Sequence, residues 1–308
     1  MNGFGIQAEQ VDLPRGAYHK SPRTYVTWDR RPVIGFSQND HRAYLYPLCT
    51  PAGIPLTSES PTDHPHHNSV WIGADHVNAL LPFGPDEDQR FEHATYSFYI
   101  NDTFQGRASG RIIATDLVLG ETGTSQLEVR QQLDWIGPAE WGAPTGRRLI
   151  RETRTTSLQF RDDPLSAFVI DVVSELTPTE WTLEIGPTRH AYFGIRLIEP
   201  LRPALGGQLV VPDGPTTIEQ VVGQPGEWVS AQAEVFAGHQ AGLVVARDTD
   251  TAPSPWSLHA WGTIDVNPLG PVARRLELGD TLTSRLRLVV HDGEGHPDQI
   301  GQLVRRAP

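Results

Sequence analysis

Arg275-Leu276-Glu277-Leu278-Gly279-Asp280-Thr281-Leu282-Thr283-Ser284-Arg285-Leu286-Arg287-Leu288-Val289-Val290 alternates polar and apolar residues on both sides of a Gly-Asp pair. Successive side chains of a strand point to opposite faces. Leu282, Leu286, Leu288 and Val290 therefore share one face, while Arg285 and Arg287 take the other. Gly279-Asp280 supplies turn chemistry between the two runs. The same alternation recurs over residues 110–113, 126–133, 157–160 and 167–173, and 29 glycines and 26 prolines punctuate such runs along the chain. Short alternating segments between turn residues are the signature of an all-β protein. No stretch of eleven or more residues carries a helical period, and residues 217–222 suit a short helix and a strand equally. The pattern predicts a single large two-sheet β-sandwich over residues 26–308, preceded by an N-terminal extension over 1–25. Two smaller sandwiches joined near residues 140–150 are the alternative.

Composition narrows the function classes. The 308 residues carry a net charge of −12, which provides no basic face for nucleic acid. Lys20 is the only lysine among 25 basic residues and lies on a polar segment, so a Schiff-base lysine is disfavoured. Cys49 is the only cysteine, which excludes intrachain disulfides and cysteine-based zinc sites. Its setting, Tyr44-Leu45-Tyr46-Pro47-Leu48-Cys49, suits a small buried hydrophobe. There is no run of eighteen apolar residues, and the first residues lack the basic and apolar regions of a signal peptide. The expectation is a cytoplasmic protein with a small-molecule partner, no nucleic-acid or membrane partner, and compatibility with a homo-oligomer.

Chemistry concentrates in Asp63-His64-Pro65-His66-His67 and, shortly after, Asp75-His76, which hold four of the twelve histidines. Imidazole titrates near neutrality and is the commonest metal-ligating side chain. In an extended strand His64 and His66 would share a face and His67 would point away, with Pro65 marking an edge, bulge or loop. A metal site could use His64 and His66 with His76, His190 or His259, completed by Asp63, Asp75 or Glu152. Such a nitrogen and oxygen set suits zinc, manganese, nickel or iron. The same histidines can equally transfer protons without a metal.

Further candidates lie elsewhere. His190 and Arg196 have the same parity on one strand, and an arginine flanked by Ile195 and Leu197 needs a carboxylate partner or an anionic ligand. Arg151-Glu152-Thr153-Arg154 reads as a solvated strand face, with Glu152 a general base if that face lines a cleft. Trp71, Trp256 and Trp261 are either core or platforms for a sugar ring, and Trp261 lies near His259. Asn267-Pro268 starts a turn. There is no G-x-S-x-G elbow, Walker loop or dinucleotide-binding glycine fingerprint.

These residues together resemble the PmoA-like (DUF6807) family of soluble bacterial proteins, whose activity is poorly defined. The resemblance rests on Tyr46-Pro47-Leu48-x-Thr50-Pro51-x-Gly53, Asp63-His64-Pro65-His66-His67-x-x-x-Trp71, Glu152-x-Arg154, Ile170-Asp171, His190-x-x-x-Gly194-Ile195-Arg196, and Trp256 to Gly262-x-x-x-x-Asn267-Pro268. It covers roughly residues 30 to 292. Where the family carries Arg-Gly after the histidines, this chain has Asn68-Ser69. More distantly, the P-L-x-T-P-x-G segment and histidine block are similar to galactose-mutarotase-like enzymes. That resemblance implies a super-β-sandwich with histidine and glutamate acid/base residues for sugar chemistry.

The resulting expectation is an enzyme acting on a sugar or sugar-derived molecule by histidine-based proton transfer: an epimerase, lyase or glycoside-cleaving enzyme. His64, His66, His67, His190 and Glu152 would be catalytic. Arg196, His259, Trp71, Trp261 and Asn267 would bind substrate. A divalent metal would be held by His64, His66 and His76. The alternatives are a non-catalytic carbohydrate-binding sandwich and a metal-dependent cupin-like oxygenase.

Overall fold

The computed structural model describes residues 3–9, 23–84, 90–103, 106–123, 125–140, 142–187, 192–247 and 255–305. It is 58% strand and 7% helix. One sheet runs, neighbour to neighbour, through β1 (Phe4–Glu9), β2 (Arg23–Trp28), β3 (Arg31–Gln38), β4 (Ala43–Leu48), β5 (Val70–Ile72), β14 (Phe193–Arg196), β20 (Thr263–Val266) and β19 (Ser257–His259). The largest sheet runs through β16 (Gly214–Thr216), β15 (Gln208–Val211), β17 (Trp228–Phe236), β18 (His239–Arg247), β22 (Leu282–Asp292), β12 (Ala167–Pro178), β11 (Arg148–Arg161), β10 (Gln126–Ile136) and β9 (Arg111–Thr122). A third sheet orders β21 (Arg274–Leu276), β13 (Leu183–Ile185), β6 (Val77–Phe83), β7 (Arg90–Ser97) and β8 (Ala108–Ser109). Pairing is antiparallel except for the short β7–β8 contact.

The all-β expectation holds, with a five-stranded third sheet added to the two large ones. The segment expected as an extension contributes β1, which pairs with β2 from Phe4↔Trp28 to Glu9↔Arg23. β10 and β11, on either side of residues 140–150, pair from Gln126↔Gln159 to Ile136↔Arg148. Alternation drives this packing: β10 exposes and buries successive residues strictly in turn along its first half. One buried apolar cluster includes Val26, Ile34, Leu45 and Ile195 of the eight-stranded sheet. Val129, Leu158, Ile170 and Leu288 of the nine-stranded sheet and Val77 and Leu183 of the third sheet belong to it too.

The Gly279 turn, with φ near 96°, does not close a hairpin. β21 before it pairs with β13, and β22 after it pairs with β12 and β18. Leu286, Leu288 and Val290 enter the main core as the alternation predicts. On the opposite face Arg287 donates to both oxygens of Asp171, directly across the ladder. Residues 217–222 form a four-residue helix, α1 (Ile218–Val221), started by a Thr217 capping box. Helix α2 (Pro297–Val304) packs Ile300 and Leu303 on Val169, Val244 and Val289, covering part of the outer face of the nine-stranded sheet.

Candidate functional site

Five short strands place the site. Across β4, β5, β14, β20 and β19 the register sets Tyr44, Trp71, Gly194, Asp265 and Ser257 side by side. Two residues along each of the last three strands, Arg196, Thr263 and His259 form a second row. Side chains directly opposite share a face. Residues of the other parity, Leu45, Val70, Ile195, Ile264 and Leu258, enter the core. Both polar rows therefore stand on the outer face of this sheet. Gly194 is required there, because an added Cβ would lie 2.1 Å from the Trp71 ring.

The histidine segment folds over this face as two consecutive turns, the loop that Pro65 allowed and not an extended strand. His64 N–H donates to Pro61 O (3.1 Å), and His67 N–H donates to His64 O (2.9 Å). Pro65 occupies the second position of the latter turn, where its fixed φ favours that geometry. The turn brings residues i and i+3 together, so it is His64 and His67 that stack, at 4.6 Å and 7°. His66 meets both edge-on. The stack continues inward from His67 to Trp71 at 4.9 Å and outward from His64 to Trp261 at 5.5 Å. Trp261 stacks in turn on His259 at 4.2 Å.

Buried polar groups hold the loop. Arg196, fully buried, donates from Nη2 to both oxygens of Asp63 at 2.8 and 2.6 Å. Burial acts upward on the Asp63 carboxyl, but Arg196 and His64 hold it well below the usual carboxylate range. The His67 ring touches Tyr99 Oη (2.8 Å) through Nε2, and Arg196 Nη1 and Thr263 Oγ1 (both 3.4 Å) through Nδ1. Burial, then His66, His64, Arg196 and Arg42, lower the His67 pKa to about 2, so the ring is neutral. Arg42, also buried, donates to Tyr99 O and Asn101 Oδ1.

Between the histidine loop and the β19–β20 hairpin lies a cavity of about 520 Å³. His64, His66, Tyr99, Arg107, Ser257, His259, Trp261 and Asp265 line it, with Asp75 and Ser97 also contributing. Two acids of this cavity are buried, Asp75 and, on β20, Asp265. Asp265 accepts from Ser257 Oγ at 3.4 Å and lies 3.9 Å from His259 Nε2. Burial raises its pKa to about 7. Arg107 donates to His76 Nε2 at 2.8 Å, so the His76 ring proton sits on Nδ1, 3.1 Å from Asp75.

Of the residues read from sequence, the structure brings His64, His66, His259 and Trp261 to the cavity wall. His67, Trp71 and Arg196 are buried behind it. The faces of Trp71 and Trp261 already carry imidazoles, so neither is the open sugar platform expected. Asn267 caps its own turn by accepting from Leu269 N–H at 2.9 Å. Glu152 is a correction. It is fully buried in the nine-stranded sheet and accepts from Trp135 Nε1, Arg154 and Ser174, which leaves it a structural carboxylate. Among the described residues no group of three or more His, Cys, Asp or Glu is placed to hold a metal ion, so His64, His66 and His76 do not form the expected ligand set. His190 lies outside the described residues.

Comparison with known families agrees with the resemblance over nearly the whole chain. The DUF6807 family, a family of unknown function, matches residues 24–305. This chain belongs to that family. No curated protein matches it. In this DUF6807 chain, sequence reasoning missed Asp265, Tyr99, Arg107 and Ser257. A signal existed for Asp265, an acid inside the strand Thr263-Ile264-Asp265-Val266; Tyr99 carries no comparable mark. Among the described residues no helix is long and apolar enough to cross a membrane.

Proposed function

We propose that this DUF6807 protein is an enzyme that transfers protons on a carbohydrate-like small molecule bound between the histidine loop and the β19–β20 hairpin. The observation that carries this reading is Asp265: a buried carboxyl with a pKa near 7 beside His259, in a cavity that also presents His64 and His66. Groups poised near neutrality are what general acid–base catalysis needs. In this reading Asp265 and His259 act as bases, and His64 and His66 as acids. The many donors and acceptors on the walls suit a polyhydroxylated ligand. The reaction class is proton abstraction from carbon, as in epimerisation or β-elimination, and no step is routed through a metal.

The test is incubation with a panel of aldoses, ketoses and sugar acids in D2O, followed by proton NMR. Loss of a specific C–H signal, abolished by Asp265→Asn and His259→Ala in folded protein, is expected. Sugar binding that raises the melting temperature with no exchange or turnover would instead make the protein a binding module.

A further inference from the structure

We infer that Tyr99 donates the hydrogen bond that receives a carbonyl oxygen of the substrate, and that Asp63, Arg196 and His67 aim it. This deepens the acid–base reading and rests on it. A guanidinium only donates. Arg196 is held by Asp63 through Nη2 and turns Nη1 toward His67 Nδ1 and Thr263 Oγ1, both at 3.4 Å; with a guanidinium hydrogen aimed at it, that ring nitrogen accepts. A neutral imidazole has one ring proton, which is therefore on Nε2. That nitrogen lies 2.8 Å from Tyr99 Oη, so the phenolic oxygen accepts from His67 and turns its own hydrogen elsewhere. Tyr99 lines the cavity with Asp265 and Asp75. Burial first, then Asp265, with Asp75 behind the opposing Arg42, raise the Tyr99 pKa and hold the phenol in its protonated form, a donor and not a base. Arg42 clamps the Tyr99 backbone carbonyl.

This geometry selects a class of substrate. When a base removes a proton from the carbon beside a carbonyl, the C–H electron pair becomes a C=C bond and the carbonyl π pair moves to oxygen. A fixed, neutral donor at that oxygen stabilises the charge where it develops, an effect worth about 10²–10³ in kcat. The substrate is therefore an α-hydroxy carbonyl compound, an open-chain aldose or ketose or a keto-sugar. Tyr99 touches it, and His67 is a positioning residue.

The experiment has two parts on the full chain. Long-range proton–nitrogen NMR of histidine-labelled protein reads the His67 tautomer, with Nε2–H expected; Nδ1–H overturns the inference. Calorimetric titration with erythronohydroxamate, an enediolate mimic, compares wild type with Tyr99→Phe. A tenfold or greater loss of affinity is expected, with the fold checked by circular dichroism. His67→Gln, whose amide can still donate to Tyr99, should stay within threefold of wild type, whereas His67→Phe should not. Equal affinity in wild type and Tyr99→Phe, or no binding by wild type, overturns the role of Tyr99. If deuterium exchange still occurs and still requires Asp265, the acid–base reading survives that failure; absence of exchange removes both.

Discussion

At Asp265 the ladder neighbours are Ser257 and Gly194, and neither brings a charge. Desolvation is then opposed only by the Ser257 hydroxyl, and the carboxyl rises from the ordinary 3.8 to about 7. The folded chain thus keeps a proton that the unfolded chain releases above pH 4. Stability from this group is complete below about pH 4 and is lost as pH rises through 7. Removing the charge should reverse that loss. Asp265→Asn is expected to raise stability at pH 8 by up to about 4 kcal/mol and to change it little at pH 4. Urea unfolding at both pH values measures this; an equal effect at the two would show that Asp265 does not titrate as described. Thr263-Ile264-Asp265-Val266 carries a strand signal that the sequence reading passed over, and which face is roofed by another segment is not written in it at all.

Across β10, β11 and β12 the same alternation hides a polar cluster. Glu152 lies opposite Leu133 and Leu176, and Arg154 opposite Gln131 and Ser174, so both charges turn inward with Trp135. Residues two apart on a strand share a face, which makes Arg151-Glu152-Thr153-Arg154 a buried pair inside an exposed-looking run. Arg151 is exposed, while Glu152 and Arg154 are 0% and 1% exposed. A buried ion pair is costly to break because the remaining charge is left uncompensated. Glu152→Gln should destabilise the protein by about 3 kcal/mol while leaving ligand binding in the cavity unchanged at low temperature. Loss of binding without loss of stability would return Glu152 to the site.

For the molecule as a whole, His67 and His291 are buried and their pKa values are lowered first by desolvation, that of His67 to about 2. Below about pH 6.5 the unfolded chain takes up a proton at His67 that the folded chain refuses, so stability falls as pH drops by about 1.4 kcal/mol per pH unit, and His291 acts in the same direction. Asp265 opposes this between about pH 4 and 7. In Asp265→Asn, where that opposition is absent, melting temperature should decline from pH 6.5 to 4.5; a flat profile in that variant would contradict neutral buried imidazoles. The sequence by itself determined the fold class, because period-two alternation and turn residues are local properties that any strand must satisfy. It also marked the histidine loop and the Arg196 that needed a carboxylate. Only the tertiary structure decided that Asp63 is that carboxylate, that Pro65 closes a turn stacking His64 on His67, and that Asp265 and Tyr99 face the cavity. Apart from the local His64–His67 turn, the contacts of Asp63 with Arg196 and of His67 with Tyr99 and Thr263 join residues 32 to 196 positions apart, and their direction depends on strand register and on which face a distant loop covers, neither of which is written in any one segment.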